Sequence, residues 1–127
     1  MKIYLAAQYS RREELHEYAE ALEELGHTIT SRWLSNSQQE GMSPAACAIE
    51  DVDDLTRSNL IINFTGTNGT PRHSGGRHVE FGIALLMQVL NRRMKIWLVG
   101  DEESIFHFMP GIEHFGTWES ALEAAAC

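Results

Sequence analysis

Short apolar runs of strand length alternate with segments in which apolar residues recur every three to four positions. The apolar runs occupy residues 3–7, 28–33, 60–64, 94–99 and 114–118. The periodic segments between them predict helices that begin after Ser10, at Pro44, near Glu80 and at Glu119. The run over 60–64 is almost continuously apolar, which is typical of a strand covered on both faces.

Strands that alternate with helices predict a parallel sheet with helices packed on both faces. We therefore expect a single α/β domain over residues 1–127, with a Rossmann-like (flavodoxin-like) open sheet of four to five parallel strands. In such sheets ligands bind at the carboxyl ends of the strands. Those ends lie at residues 7–10, 65–76 and 100–102, so these segments are expected to meet at one edge of the sheet.

Two helix starts carry capping signals. Ser10 with Glu13 three positions later predicts a capping box, and Ser43 before Pro44 predicts an N-cap followed by proline at the first helical position. Gly26 is expected to end the first helix. The apolar spacing of the second helix predicts a buried side made of Ala45, Ala48, Ile49, Val52 and Leu55.

The segment Ser74-Gly75-Gly76-Arg77 leads into a helix whose first turn contains Glu80. Glycines let the backbone approach a ligand closely, and the first N–H groups of a helix lack intrahelical partners and favour an anion. The pattern predicts an anion cradle beside a carboxylate, which suits chemistry on a phosphorylated small molecule. A glycine turn before an ordinary helix, whose glutamate only complements the helix dipole, fits the same residues.

The acidic run over residues 50–54 supplies a second candidate carboxylate. Most acidic runs are solvated helix faces, but at 100° per residue Asp51 lies one turn before Leu55, at the border of the predicted apolar stripe. Asp51 is therefore predicted to be the member of the run that is held against the domain. Together with Glu80 it would give two carboxyl groups, one for nucleophilic attack and one for proton transfer or hydrogen bonding.

Composition and charge exclude several classes of function. The 127 residues are 43% hydrophobic, enough for a core, and their formal charge of −8 argues against a nucleic-acid polymer as partner. Cys47 and Cys127 fit no disulfide framework and the histidines show no ligand spacing, so we expect no metal site and a reducing, cytoplasmic location. We expect no dinucleotide cofactor, because the first turn lacks the pattern G-x-G-x-x-G. We expect no membrane partner, because the sequence shows neither a signal peptide nor an apolar run of spanning length.

Three motifs in combination resemble the nucleoside 2-deoxyribosyltransferase superfamily, which includes small 2'-deoxynucleoside 5'-monophosphate N-glycosidases. They are a first strand that ends near Tyr9, the Asp-x-x-x-Leu pattern of Asp51 in a helix just before the third strand, and the helix start G-x-x-x-E-F-G around Glu80. The resemblance covers about residues 2–99. It implies a nucleoside or nucleotide as small-molecule substrate, and a homodimer or higher homo-oligomer in which a neighbouring subunit helps to complete the site.

The resemblance also implies roles for individual residues. The family's nucleophile maps to Glu80, and its helix aspartate, eight positions before the opening of the third strand at Asn59, maps to Asp51. A tyrosine near the end of the first strand holds the nucleophile in the family, and Tyr9 is the candidate for it. The implied reaction is attack of Glu80 on C1' of the sugar, giving a covalent glycosyl-enzyme that a second base or water resolves with retention.

The segment 65–77 is longer than in the compact members of the family and contains extra basic residues. This favours a substrate with a 5'-phosphate, bound by the cradle residues Ser74, Gly75, Gly76 and Arg77. Side chains near the end of the first strand would close the site from the other side, with Gln8, Arg11 and Arg12 as candidates.

Alternatives to this assignment stay open. The glycine segment with Glu80 also resembles the P-G-G-x-G-T-x-x-E motif of cytokinin-activating phosphoribohydrolases, although serine replaces the proline and the G-T is absent. A non-catalytic nucleotide sensor would keep the cradle, but a pure binder of an anion gains nothing from a nearby buried acid. Transfer and hydrolysis are not distinguished, because Ser104, His107 and His114 do not match the family's C-terminal pattern cleanly.

Overall fold

The computed structural model describes residues 1–35, 41–66, 75–91 and 93–127, and these form one α/β arrangement. Its strands are β1 (Lys2–Ala6), β2 (Thr28–Ile29), β3 (Leu60–Phe64), β4 (Lys95–Val99) and β5 (Ile112–Phe115). Its helices are α1 (Arg12–Glu24), α2 (Pro44–Thr56), α3 (Gly76–Asn91) and α4 (Trp118–Ala125). The predicted fold class is confirmed.

The five strands form a single parallel sheet in the order β2-β1-β3-β4-β5. The chain therefore reverses its direction of winding between β1 and β3, and the crevice at such a point is where open α/β sheets bind ligands. Every residue of β3 is buried, as its continuous apolar run predicts for a strand covered on both faces.

The two faces of the sheet are covered by different pairs of helices. On one face, Tyr18 of α1 stacks on Trp118 of α4, with ring centroids 4.2 Å apart, and on Phe64 of β3 at 5.3 Å. Because side chains alternate along a strand, Asn63 faces the opposite side, where α2 and α3 pack. Tyr4 of β1 lies beside Ile61 in the register and shares this second face.

At the ends of elements the structure corrects two local expectations and confirms two others. Residues 9–11 form a 3-10 turn and α1 begins at Arg12, so the N-cap position is not Ser10 but Arg11, which makes no side-chain capping bond. The second strand stops at Ile29 instead of continuing to residue 33. Ser43 does cap α2, accepting a hydrogen bond from Ala46 N at 3.1 Å, and Gly26 ends α1 with a φ of +94°.

The predicted buried side of α2 is wrong except for Leu55. Ala45, Ala48, Ile49 and Val52 are exposed, and the residues that turn inward are Cys47, Glu50, Asp51, Asp54 and Leu55. Hydrophobic periodicity identifies the apolar face of a helix, but it does not show whether the same domain or another molecule covers that face. Here the apolar face of α2 points away from its own domain, and the acidic face packs inward because arginines neutralise it.

Candidate functional site at the carboxyl edge of the sheet

A hydrogen bond between Tyr4 and Glu80 lies at the centre of the site. Tyr4 is fully buried in β1, on the sheet face that α3 covers. Glu80 is partly buried in the second turn of α3, one turn later than predicted because the helix begins at Gly76, and the Tyr4 hydroxyl donates to its Oε2. The contact joins the first strand of the sheet to the helix that follows the glycine segment, across the crevice between β1 and β3.

Burial controls the protonation of this pair. Desolvation raises the pKa of Glu80 from 4.5 to about 8; the hydrogen bond from Tyr4 opposes this rise, and the negative charge of Asp51 adds to it. Burial, together with the charges of Glu80 and Asp51, also raises the pKa of Tyr4, so the phenol stays protonated as the donor. Without substrate, Glu80 is therefore mostly a neutral carboxylic acid at pH 7. A carboxyl group with a pKa displaced in this way is typical of a catalytic site.

Asp51 lies on the inward side of α2, partly buried, where its charge acts on both Glu80 and Tyr4. The sequence prediction that Asp51 is held against the domain is consistent with this placement. The most buried acid of the run is nevertheless Asp54, which has no exposed surface. The prediction that Asp51 is the member of the run held against the domain did not foresee the burial of Asp54.

Asp54 is held by two arginines. Its Oδ1 accepts from Arg32 Nε at 2.8 Å and from Arg57 Nη2 at 2.6 Å, and its Oδ2 accepts from the backbone N of Arg32 at 2.9 Å. These bonds fasten α2 to the 3-10 turn at residues 32–34. We assign Asp54 to the support of the helix that positions Asp51.

The tyrosine that contacts Glu80 is Tyr4, and the sequence assignment of this contact to Tyr9 is corrected. Tyr9 is 52% exposed, and its ring lies 6.3 Å from that of Trp33. The family pattern gives an approximate position along the first strand, but only the pleat decides which tyrosine points at α3. Tyr4 shows one signal that sequence analysis missed: it is a phenol within an otherwise apolar strand, and a buried phenol needs a hydrogen-bond partner.

The glycine segment, Gly75 and Gly76, is exposed at the start of α3. Among the described residues, nothing would come within 4 Å of a Cβ at either position. No crowding from the described part of the chain requires glycine there, and glycine permits close approach by a ligand. Ser74, the other predicted member of the cradle, lies outside the described residues.

Arg77 is not directed at the cradle. Its side chain is 3% exposed, and its Nη1 and Nη2 both donate to the carboxylate of Glu103, the second bond measuring 3.2 Å. The predicted fork from Arg77 to a substrate phosphate is therefore occupied by a carboxylate of the chain itself. Glu103 was not predicted as a site residue, because the residues around a glutamate that follows β4 do not indicate which side chain it will bind.

Arg11 is also held by the protein. Its guanidinium donates to both carboxylate oxygens of Glu14 at 2.9 Å and to the carbonyl of Thr65 at 2.8 Å. These bonds lower the pKa of Glu14 to about 2. Arg11 thus fixes the end of β3 beside the site. Gln8 is buried directly after β1 at the same edge.

Asn63 and His107 are buried near the site and have side-chain polar atoms with no hydrogen-bond partner among the described residues. Asn63 has no exposed surface, and both atoms of its amide are unsatisfied on the sheet face that carries Tyr4. His107 is also fully buried; its Nδ1 accepts from Glu103 N at 2.9 Å and its Nε2 is unsatisfied. Burial lowers the pKa of His107, which keeps the ring neutral. Sequence analysis did not identify Asn63.

A groove of about 570 Å³ runs beside α3 on the side away from Glu80. The residues that line it are His78, Phe81, Gly82, Leu85, Glu103, Ser104 and Phe106. In the part of the chain that the structure describes, no group of three or more His, Cys, Asp or Glu side chains is placed to hold a metal ion. No helix over the same residues is long and apolar enough to cross a membrane.

The fold and this edge define a small open α/β domain with a paired tyrosine and glutamate at the winding reversal. No protein-family model and no curated protein sequence matches the chain. Solved structures do match it over nearly its whole length. The fold is shared with a CMP N-glycosidase, BcmB, from Clostridium botulinum, with a TM-score of 0.67 and 23% identity over 98% of this chain and 97% of that one.

Two further solved structures have the same fold. A 2-deoxyribosyltransferase from Bacillus psychrosaccharolyticus matches with a TM-score of 0.67 and 19% identity, covering 96% of this chain and 90% of that one. A conserved protein from Enterococcus faecalis V583 matches with a TM-score of 0.61 and 12% identity over 98% and 96% of the two chains. At these identities the likeness concerns the fold, and it confirms the fold that the sequence resemblance implied.

Proposed function

We propose that this chain cleaves or transfers at the N-glycosidic bond of a nucleoside, a deoxynucleoside or its 5'-monophosphate, with Glu80 as the nucleophile. The observation that carries the proposal is the Tyr4–Glu80 pair, which places a carboxyl group one turn inside α3, after the exposed Gly75 and Gly76. The named enzymes that share the fold, a CMP N-glycosidase and a 2-deoxyribosyltransferase, support the same bond as the target.

In the proposed reaction an ionised Glu80 oxygen attacks C1' of the sugar. The C1'–N bond breaks, its electron pair leaves with the base, and the sugar is held as an ester on Glu80 through an oxocarbenium-like transition state. Attack on C1' by water or by a second base then breaks the ester and restores the Glu80 carboxylate. Two inversions give net retention, and no cofactor is needed.

Tyr4 and Asp51 would act on the charge of Glu80. The Tyr4 hydroxyl fixes one carboxylate oxygen and leaves the other for attack, and its hydrogen bond favours the ionised form. The negative charge of Asp51 disfavours ionisation of Glu80 and would be relieved once Glu80 becomes an ester. The proton that Glu80 gives up on ionising would pass to Asp51, and Asp51 would then donate it to the departing base and become ionised again.

The 5' end of the substrate would lie over the start of α3. The backbone N–H groups of Gly76 and Arg77 precede the first helical bonds, which His78 N and Val79 N donate to Gly75 O, so they can donate to a hydroxyl or a phosphate oxygen. Ser74 stays a predicted member of this cradle. The guanidinium groups of Arg77 and Arg11 already bind carboxylates of the chain, Glu103 and Glu14. These two arginines would therefore stabilise the segments beside the substrate instead of binding the substrate directly.

We further propose that the chain acts as a homodimer or higher homo-oligomer. The exposed apolar side chains on α2 and α3 follow helical spacing and lie on neighbouring helices; they are Ile49, Val52, Val79, Leu86, Val89 and Leu90. Each is between 44% and 73% exposed. Exposed apolar side chains grouped on two neighbouring helices are typical of an interface, and a second copy of the chain offers an equally apolar surface to cover them.

The test is incubation of the purified chain with matched nucleosides, 2'-deoxynucleosides and their 5'-monophosphates, with and without a second base. Release of base alone indicates a hydrolase, and base exchange indicates a transferase. Activity confined to cytokinin ribonucleoside 5'-monophosphates, with no turnover of CMP, would favour the phosphoribohydrolase alternative. Ligand binding with no turnover of any substrate would contradict the enzyme and favour a sensor.

A further inference from the structure

The carboxylate of Glu103 joins the two ends of the connection between β3 and α3. Before the connection, the backbone N of Gly66 donates to Glu103 Oε2 at 3.2 Å. After it, the guanidinium of Arg77 donates to both oxygens of the same carboxylate. Gly66 and Arg77 are eleven positions apart in sequence, so one side chain from the β4–β5 connection closes the base of the whole segment.

Glu103 is itself fixed by the core. Its backbone N donates to Nδ1 of His107 at 2.9 Å, and the fully buried His107 ring packs edge-on against Phe81 with centroids 4.8 Å apart. Phe81 directly follows Glu80 in α3. The chain of contacts from His107 through Glu103 to Arg77 therefore returns to the turn of α3 that carries Glu80.

The ion pair between Arg77 and Glu103 cannot be lost without structural change, because Arg77 is almost completely buried. A buried guanidinium that loses its carboxylate is left as an uncompensated charge, so the first turn of α3 must move or take up water. Arg77 and His78 both act on Glu103 as positive charges and both belong to this first turn, while Arg11 acts on it from the other side of the segment. Loss of the Glu103 carboxylate would therefore remove the partner of two side chains of the turn.

We propose that Glu103 is a positioning residue, which holds the start of α3 against the end of β3 and thereby fixes Glu80 against Tyr4. Glu103 does not touch Tyr4 or Glu80; it acts through Arg77, one turn before Glu80 on the same helix. The kinetic consequence rests on the proposed function. The structural consequence does not, because the environment of Glu80 changes whether or not a substrate is turned over.

The test compares Glu103→Ala and Glu103→Asp with the matched control Glu102→Gln. Glu102 is the preceding residue, and its carboxylate pairs with His114 at 2.9 Å. The first measurement is the titration of the Glu80 side chain by carbon NMR in the whole protein without substrate, with Glu80→Gln used to assign the signal. In Glu103→Ala we expect water to enter beside Glu80, so that its titration midpoint falls toward that of an ordinary glutamate. The control should leave the midpoint unchanged.

The second measurement is steady-state kinetics with whichever substrate the panel identifies. We expect kcat of Glu103→Ala to fall about 10²-fold, the loss that a misplacement of about 1 Å can cause, with KM changed far less. If Glu103→Ala does not fold, Glu103→Asp keeps the charge, shortens the reach and serves the same comparison. A folded variant with an unchanged Glu80 midpoint and unchanged kcat would overturn the proposal. A shifted midpoint in a chain that turns over no nucleoside would overturn the proposed function and leave the positioning role standing.

Discussion

The Tyr4 hydroxyl donates a hydrogen bond to the Glu80 carboxylate, although 76 positions separate the two residues in sequence. Tyr4 is buried in β1 and Glu80 lies in the first turns of α3, so the contact exists only when sheet and helix are assembled. Burial and the nearby charge of Asp51 raise the pKa of Glu80, while Tyr4 lowers it. The reactivity of the carboxyl group is therefore a property of three elements together.

The first prediction is that Glu80→Gln abolishes turnover while the protein stays folded, because the amide keeps the shape of the side chain but cannot act as a nucleophile. Mass spectrometry of the unmodified chain with a slow substrate should show one sugar attached at Glu80, and the variant should show none. Retained activity in Glu80→Gln or Glu80→Ala would contradict the nucleophile assignment.

The second prediction concerns the pH dependence of stability. The pKa of Glu80 is 4.5 as an ordinary side chain and about 8 in the folded protein, so between these values the folded state binds a proton that the unfolded state lacks. Its contribution to stability is therefore lost as pH rises from about 4.5 through about 8. The Tm of Glu80→Gln should exceed that of the unmodified chain by an amount that grows over this range, as calorimetry at several pH values can measure. A constant Tm difference would mean that Glu80 is not desolvated.

The third prediction is that Tyr4→Phe raises the pKa of Glu80 further, because the hydrogen bond that favours the ionised form is lost. The pH profile of kcat/KM in the unmodified enzyme should rise with a midpoint near 8, and in Tyr4→Phe this midpoint should move to higher pH. Tyr9→Phe is the matched control and should leave the midpoint in place. A shift in Tyr9→Phe but not in Tyr4→Phe would restore the assignment made from the sequence.

The fourth prediction separates the acids of α2. Asp51→Asn should reduce the rate on the order of 10²–10⁴-fold through loss of an acid–base group. Since the charge of Asp51 raises the pKa of Glu80, the midpoint of the kcat/KM profile should fall in this variant. Asp53→Asn, a change at an exposed position of the same helix, should keep both rate and midpoint.

Asp54→Asn provides a contrast to Asp51→Asn. It weakens charged hydrogen bonds to Arg32 and Arg57 and should cost on the order of 2 kcal/mol of unfolding free energy, measured in urea. Activity per folded molecule should survive better than in Asp51→Asn. An Asp54→Asn protein of normal stability that is inactive would move the second catalytic role from Asp51 to Asp54.

The fifth prediction is that Leu86→Glu disrupts the homo-oligomer, because it introduces a charge into the exposed apolar surface of α2 and α3. Analytical ultracentrifugation should show a shift from oligomer to monomer. Leu25→Glu, the same change at another exposed leucine at the end of α1, should leave the mass unchanged. A monomeric unmodified chain would contradict the proposed oligomer.

Local and periodic patterns determined the fold class and most elements. The apolar run of β3 was predicted at its observed bounds, and the cap formed by Ser43 and the stop at Gly26 are present. Each depends on contacts within a few residues or on burial from both sides, which an amino-acid sequence expresses directly. The start of a helix after two glycines is local in the same sense, although Glu80 lies in the second turn of α3 and not, as predicted, in the first.

Only the tertiary structure decided which side chains meet. The hydrogen bonds from Tyr4 to Glu80 and from Arg77 to Glu103 join segments that are distant in sequence. The burial of Asp54 depends on which side of α2 turns inward. Periodicity finds the apolar face of α2 but does not say whether its own domain or another molecule covers it. Charged residues carry no marker of their partners, because a carboxylate is satisfied by any guanidinium that the fold brings within reach.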